Sequence, residues 1–258
     1  MKNIISRDNP TYKQLKKLAE SAKERRKAGR TLLDGVHLVE AYMAAGGTPE
    51  LLVVSESGVT REECVRLVEN STAHQVVVLA DTLFAEISPV ETPVGILAMV
   101  EMPHPRLPEN PQFCILLEDI QDPGNLGSIL RSAAAAGAQL ACLSTGCVDA
   151  WSPKVLRAGM GAHFAMVIEE RANLAEKMIS FRGMSIATSL GAGKTLYDLD
   201  LTGGVMFVIG NEGAGLSPEL QQAATERVII PMPGSVESLN AAAASAICFF
   251  ERVRQLAH

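Results

Sequence analysis

Val228–Glu251 reads VIIPMPGSVESLNAAAASAICFFE. It starts as a β-branched strand, breaks on Pro231, Pro233 and Gly234, and restarts at Ser238 as an alanine-rich helix. Strand, rigid loop and helix in that order are the repeating unit of an α/β fold. Ser238 is a favourable helix cap, and Asn240 falls just inside the first turn. The run Ala241–Ala244 removes side-chain bulk, so another backbone or a flat ligand can come close. Leu239, Ile247, Phe250 and Val253 continue an apolar stripe. Two readings stand here: a ligand loop at the carboxyl end of a strand, and a well-capped core helix.

Working outward, the same pattern recurs. The segments FCILLED, QLACLS, FAMVI, MSIATS, VMFVIG and RVIIP are short, apolar and β-branched, as in a parallel sheet covered on both faces. Between them the spacing predicts helices near Asn125–Ala136, Pro153–Gly159, Leu174–Phe181, Pro218–Ala224 and Ser238–Gln255. This second part, 113–258, is preceded by EMPHPRLPENPQ (Glu101–Gln112), with four prolines in twelve residues. Proline removes backbone donors and restricts the residue before it, so 101–112 reads as an extended linker. Residues 1–100 form a first α/β domain: a basic helix, then LLDGVHLVEAYMAAGG as strand and helix, and strands in ELLVVSES, HQVVVLA and GILAMV.

The chain has 258 residues, is 47% hydrophobic and 4% aromatic, and contains no apolar run of membrane-spanning length. Its N-terminus lacks the apolar region of a signal peptide, which points to the cytoplasm. Five cysteines without a C-x-x-C pair predict buried reduced thiols and no metal site. Residues 1–30 hold ten Lys/Arg against three Asp/Glu, a net +7, so the other 228 residues sum to −13 in a chain of formal charge −6. A basic segment on an acidic body suits a phosphate-bearing partner, and it also suits an ordinary solvated helix.

Two further loops follow strands. In LLEDIQDPGNLGSILRSAAAAG (Leu116–Gly137), Asn125 is read as the helix cap, and Arg131 interrupts a small, apolar helix. Arginine offers five donors and no acceptor, which suits phosphate or carboxylate. In VMFVIGNEGAGLSPEL (Val205–Leu220), Gly210, Gly213 and Gly215 let backbone approach a ligand, and Asn211 and Glu212 are the side chains able to bond it. The pattern is not G-x-G-x-x-G. TSLGAGKT (Thr188–Thr195) fails as a P-loop because Thr188 stands where glycine is required.

DPGNLGSILRSAAAAG, VIGNEGAGLS and IIPMPGSVESLNAAAASAI, in this order, resemble the three motifs of the SpoU (TrmH-like) branch of the SPOUT RNA methyltransferases. The likeness covers residues 116–250, with no departure at the motif positions. The segment YKQLKKLAESAKERRKAGRTLLDGVHLVEAYMAAG looks like the ribosomal-protein-like RNA-binding domain common at the N-terminus of this branch. The resemblance implies a parallel sheet with a deep trefoil knot, homodimerisation through the knotted domain, and transfer of a methyl group from S-adenosylmethionine to a ribose 2′-hydroxyl of RNA. It places the cofactor against Thr188, Leu190, Gly191, Ile209, Gly210, Asn211, Gly213, Ile230, Met232, Leu239 and Ala243. It gives Arg131 the action on the hydroxyl, with Asn125, Glu212, Ser238 and Asn240 orienting it. Arg7, Lys13, Lys16, Lys17, Arg25, Arg26 and Arg30 are the candidate RNA contacts. Ribosomal RNA is the first choice of substrate. The alternatives are the same chemistry on transfer RNA and a non-catalytic RNA-binding assembly factor. A nucleotide-binding oxidoreductase is disfavoured by the missing glycine fingerprint.

Overall fold

The computed structural model describes residues 1–104, 106–189, 192–235 and 238–257. The chain forms two compact units, one of Met1–His104 with Trp151–Phe164, the other of Pro105–Ala150 with Ala165–His258.

In the first unit the elements run β1 (Lys2–Ile4), α1 (Pro10–Glu20), α2 (Ala22–Ala28), β2 (Arg30–Asp34), α3 (Val36–Ala44), β3 (Leu51–Ser55), α4 (Glu62–Asn70), β4 (Gln75–Leu79), α5 (Asp81–Ile87) and β5 (Ile96–Glu101). The expected basic helix is two helices, because Ser21 takes extended dihedrals, closes α1 and caps α2 through its hydroxyl. The sheet order is β1-β4-β3-β5-β2. β1, β4 and β3 are parallel, whereas β5 is antiparallel to both β3 and β2. Tyr12, Leu15, Leu18, Leu32, Val53, Leu79, Phe84 and Leu97 pack one core beneath α1 and α5.

In the remainder the elements run β6 (Phe113–Leu117), α6 (Pro123–Ala135), β7 (Leu140–Leu143), α7 (Pro153–Gly159), β8 (Val167–Glu169), α8 (Leu174–Ser180), β9 (Met184–Thr188), β10 (Lys194–Thr195), β11 (Val205–Ile209), α9 (Pro218–Ala223), β12 (Glu226–Ile229) and α10 (Ala241–Leu256). All the strands pair in parallel, in the order β10-β12-β9-β11-β6-β7-β8. β6, β7 and β11 are buried at every position, which explains their unbroken apolar runs.

One segment departs from the expected division. Trp151–Phe164, which carries α7, packs with the first unit although the surrounding chain belongs to the second. The reason is local bonding. Thr31 donates its hydroxyl to the Trp151 carbonyl at 2.6 Å, and Arg157 donates to the buried Asp34 carboxylate at 2.8 Å. Burial pushes the Asp34 carboxyl up, against the opposing pull of Ser88 and Arg157. Burial pushes the Cys114, Cys142 and Cys248 thiols up to about 12.

Candidate functional site

Four neighbouring strands, β12, β9, β11 and β6, end at the same edge of the second sheet, and the loops that leave them meet there. Between these loops lies a cavity of about 550 Å³. Its wall takes Thr188 and Ser189 from the end of β9, Ile209–Leu216 from β11, Val228–Ile230 and Met232 from β12, and Ser238–Ala241 with Ala244 from the approach to α10. Asn125 of α6 completes it. Aliphatic side chains and backbone groups of glycine-rich loops form most of this wall, a lining that suits a nucleoside-sized ligand.

The two expected helix caps are shifted. α6 is capped by Asp122, whose carboxylate accepts the Asn125 N–H at 2.7 Å, with Pro123 at the first helical position. α10 is capped by Asn240, whose Oδ1 accepts the Ala242 and Ala243 N–H groups at 2.9 and 3.3 Å. These corrections free Asn125 and Ser238 from capping. The Asn125 amide nitrogen donates to Glu212 Oε1 at 3.0 Å, and its oxygen accepts from Asn240 Nδ2 at 2.9 Å. Asn125 from the first turn of α6, Glu212 from the loop after β11 and Asn240 from the cap of α10 thus form one bonded row in the cavity wall. Ser238 is exposed on the same wall.

Asn211, expected to meet a ligand, has its side chain turned into its own loop. Its Nδ2 donates to the Asp119 carbonyl at 2.8 Å, and its Oδ1 accepts the Gly213 and Ala214 N–H groups, both at 2.9 Å. The glycines also act differently from expectation. A Cβ on Gly210 would run into the Gly215 carbonyl carbon and the Leu216 nitrogen, so Gly210 is required by the loop folding on itself. Gly215 sits at φ +71°, a left-handed conformation that favours glycine. Gly213 has only ordinary space around it.

Thr188, Ile209, Gly210, Asn211, Gly213, Ile230, Met232 and Leu239 all lie in the cavity wall. Ala243 does not; it is exposed, and Ala241 and Ala244 take the wall positions. Leu190 and Gly191 lie outside the described residues. Ser189, Ala214, Leu216, Val228, Ile229, Ala241 and Ala244 also line the cavity; Leu216 flanks a motif glycine and Val228 and Ile229 end a strand, and those were the available signals.

Arg131 is exposed on α6, without a hydrogen bond or ion pair among the described residues, and it is not in the cavity wall. Six residues of helix carry it about 120° around and about 9 Å along from Asn125. α10 packs against α6, where Ala133 and Ser245 are fully buried.

The candidate RNA contacts of the first unit divide sharply. Arg25 is buried, and its guanidinium donates to the Leu18 carbonyl at 2.6 Å and to Ala19 at 3.2 Å, so it ties α2 to α1 and does not face solvent. Arg7 and Lys16 bond Glu86, Lys13 pairs with Asp8 at 2.8 Å, and Arg30 pairs with Glu50 at 2.6 Å. With Arg7, Tyr12 and Lys16 all bonded to it, Glu86 is pulled down to about 2. Lys17 and Arg26 project into solvent without a partner among the described residues. Lys194, from the near-P-loop stretch, is held by both oxygens of Glu226 at 2.9 Å.

A parallel sheet whose carboxyl-end loops enclose an aliphatic cavity, rimmed by amides and one carboxylate, has the form of a ligand-binding α/β domain. The chain belongs to the SpoU rRNA methylase family, which matches residues 112–250; residues 9–98 match the MRM3-like substrate binding domain. It is 33% identical to the 23S rRNA (guanosine(2553)-2′-O)-methyltransferase RlmP of Bacillus subtilis, over 97% of this chain and 98% of that protein. Among solved structures, the SpoU methyltransferase AviRb of Streptomyces viridochromogenes, in complex with AdoMet, superposes with a TM-score of 0.85 at 28% identity, covering 96% of this chain and 98% of that one. A structure described as giving insight into 2-OH methylation of C/U34 on tRNA covers only 59% of this chain and 95% of its own, with a TM-score of 0.52 at 27% identity.

Proposed function

We propose that the protein transfers the methyl group of S-adenosylmethionine to a ribose 2′-hydroxyl of ribosomal RNA. The observation that carries this reading is the bonded row Asn125–Glu212–Asn240 in the wall of an aliphatic cavity, in a chain of the SpoU family. Ribosomal RNA is favoured over transfer RNA because an rRNA methyltransferase matches both units, whereas the tRNA-directed structure covers little more than one.

The cavity fits the cofactor. Its volume accommodates a nucleoside with an amino-acid tail, and Ile209, Leu216, Ile230, Met232 and Leu239 can enclose an adenine. Thr188, Ser189 and the backbone of Gly210 are polar groups of the same wall. The cofactor, when bound, supplies a sulfonium methyl that is already electrophilic. What the chain must add is a placed nucleophile and a home for developing negative charge. Arginine stays protonated, so Arg131 stabilises an alkoxide or holds a substrate phosphate. Glu212, held by Asn125, keeps acceptor capacity for a ribose hydroxyl, and Ser238 can donate or accept beside it.

Several structural expectations belong to the same proposal. The segment after β12 threads a loop to form a trefoil knot; family membership and the packing of α10 back onto α6 support it. A second copy covers the outer side of α6 and α10, where Phe250 is 48% exposed and Arg131 unpaired. Lys17 and Arg26 bind phosphates of the substrate. The protein works in the cytoplasm; among the described residues no helix is long and apolar enough to cross a membrane.

The test is incorporation of labelled methyl into unmodified ribosomal RNA, transfer RNA and ribosomal particles in parallel, with the modified position mapped by primer extension at low nucleotide concentration. Label at a 2′-oxygen of ribosomal RNA is the expected result. Label confined to transfer RNA moves the substrate; binding of RNA without label in any arm supports the assembly-factor reading instead.

A further inference from the structure

We propose that Asn211 is a positioning residue for the methyl-transfer site, and that Asp119 and Ser144 act through it. The proposal rests on the reading of the cavity as the S-adenosylmethionine site.

Glu212 can hold Asn125 and Asn240 in a row only if its own loop is fixed. Residues 210–216 contain no helix and no strand beyond one bridge, Asn211 to Gly215, closed by hydrogen bonds of 3.1 and 2.9 Å. Gln221 donates to the Leu216 carbonyl at 2.8 Å at the far end, and Asn211 supplies the side-chain bonds to the N–H groups within the turn. Its Oδ1 collects the Gly213 and Ala214 amides and shapes the turn from within. Its Nδ2 reaches out of the loop to the Asp119 carbonyl, in the loop that follows β6, while the neighbouring Glu118 carboxylate accepts the Ser217 N–H at 2.7 Å where the turn ends. The turn therefore carries Glu212 at a distance set by the Asp119 peptide.

That peptide is itself held in an unusual state. Asp119 has φ +54°, a conformation costly for a residue with a Cβ, so its surroundings must over-determine it. Ser144, just past β7, does so at two points. Its Oγ accepts the Asp119 N–H at 2.9 Å and donates to the Asp119 carboxylate at 2.6 Å. Gly146 lies against the same carboxylate, where a Cβ would collide with Oδ1. Ser144 is anchored in turn by its own N–H, which donates to the Leu117 carbonyl at 3.0 Å. The relay thus runs from the β6–β7 pair through Ser144 and Asp119 to Asn211, and so to Glu212. Neither Ser144 nor Asp119 lines the cavity.

Asn211→Asp separates the two jobs of the side chain. A carboxylate keeps the acceptor for Gly213 and Ala214 but turns an oxygen toward the Asp119 carbonyl, which breaks the tether. We expect S-adenosylmethionine, measured by calorimetry, to bind about tenfold more weakly, the size of one lost hydrogen bond. In the cofactor-free protein the Gly215 amide is expected to exchange about tenfold faster. Ser144→Ala should move both readouts in the same direction by a smaller factor, Ser144→Thr should restore them, and Ser144→Ala with Asn211→Asp should be no worse than Asn211→Asp alone. Effects that multiply in the double variant overturn the relay, and unchanged Gly215 exchange in Asn211→Asp overturns the tether. If the parent protein fails to bind S-adenosylmethionine, the reading of the cavity falls and the exchange measurement alone decides the proposal.

Discussion

Glu86 in the first unit gathers Arg7, Lys16 and the Tyr12 hydroxyl; Glu212 in the second gathers Asn125, which Asn240 holds from behind. The difference lies in what remains. Around Glu86, cations and carboxylate neutralise one another, and the product is a fixed junction between α1 and α5. Around Glu212 the partner is a neutral amide, so among the described residues no cation offsets it and acceptor positions stay open, while Arg131 keeps all its donors. A charged segment and a charged site are therefore different things. The net +7 of residues 1–30 overstates the positive surface available to a phosphate partner, because several of its cations are already held by carboxylates.

The contrast is broken most directly at Arg131. Arg131→Ala is expected to lower methyl transfer by about 10²–10³-fold, the effect of removing one preorganised donor to a developing oxyanion. S-adenosylmethionine affinity and melting temperature should stay near the parent values, since Arg131 is exposed and outside the cavity wall. Transfer at the parent rate would remove Arg131 from the chemistry. Gly210→Ala tests the loop instead of the charge. The added methyl meets backbone and not a flexible side chain, so we expect a loss of about 1–3 kcal/mol in denaturant unfolding together with weakened cofactor binding.

Two arginines one residue apart sharpen the comparison within the first unit. Arg25→Ala should cost about 1–3 kcal/mol of stability through the orphaned Leu18 and Ala19 carbonyls, with little direct effect on RNA affinity. Arg26→Ala should leave unfolding unchanged and reduce the salt dependence of RNA binding by about one phosphate contact. The reverse pattern would exchange their roles. The smallest effect is expected at Glu86→Gln. Glu86 ionises well below an ordinary carboxyl, which has a value of 4.5, so the stability it contributes is present above that value and fades as pH falls toward about 2. The melting temperatures of parent and variant should differ at neutral pH and converge in acid.

The strands of the second sheet were legible because burial on both faces writes itself as β-branched runs. The motif loops were legible as the ends of those runs. The caps were not read correctly: Asp122 and Asn125 are both good cap residues, and only Pro123, suited to a first helical position, distinguishes them. Arg25 carried only a weak signal: it stands seven residues, two helical turns, after the buried Leu18, and the helix breaks between them at Ser21. β10 is two residues long and has no pattern of its own; its pairing with β12 makes it a strand. The inward turn of Asn211 and the docking of 151–164 depend on partners about ninety to a hundred and twenty residues away, and no local pattern encodes them.

The excursion of Trp151–Phe164 has a consequence for how this protein could be taken apart. The chain changes unit near residues 104, 150 and 164, so no single cut yields two complete halves. A fragment that begins at the proline-rich stretch inherits a buried tryptophan whose surroundings it has left behind, and a fragment that ends there loses the helix that answers Asp34. Gene fusions that exchange substrate-recognition modules between relatives therefore need to carry α7 with the amino-terminal piece, as a patch sewn into the middle of the catalytic reading frame.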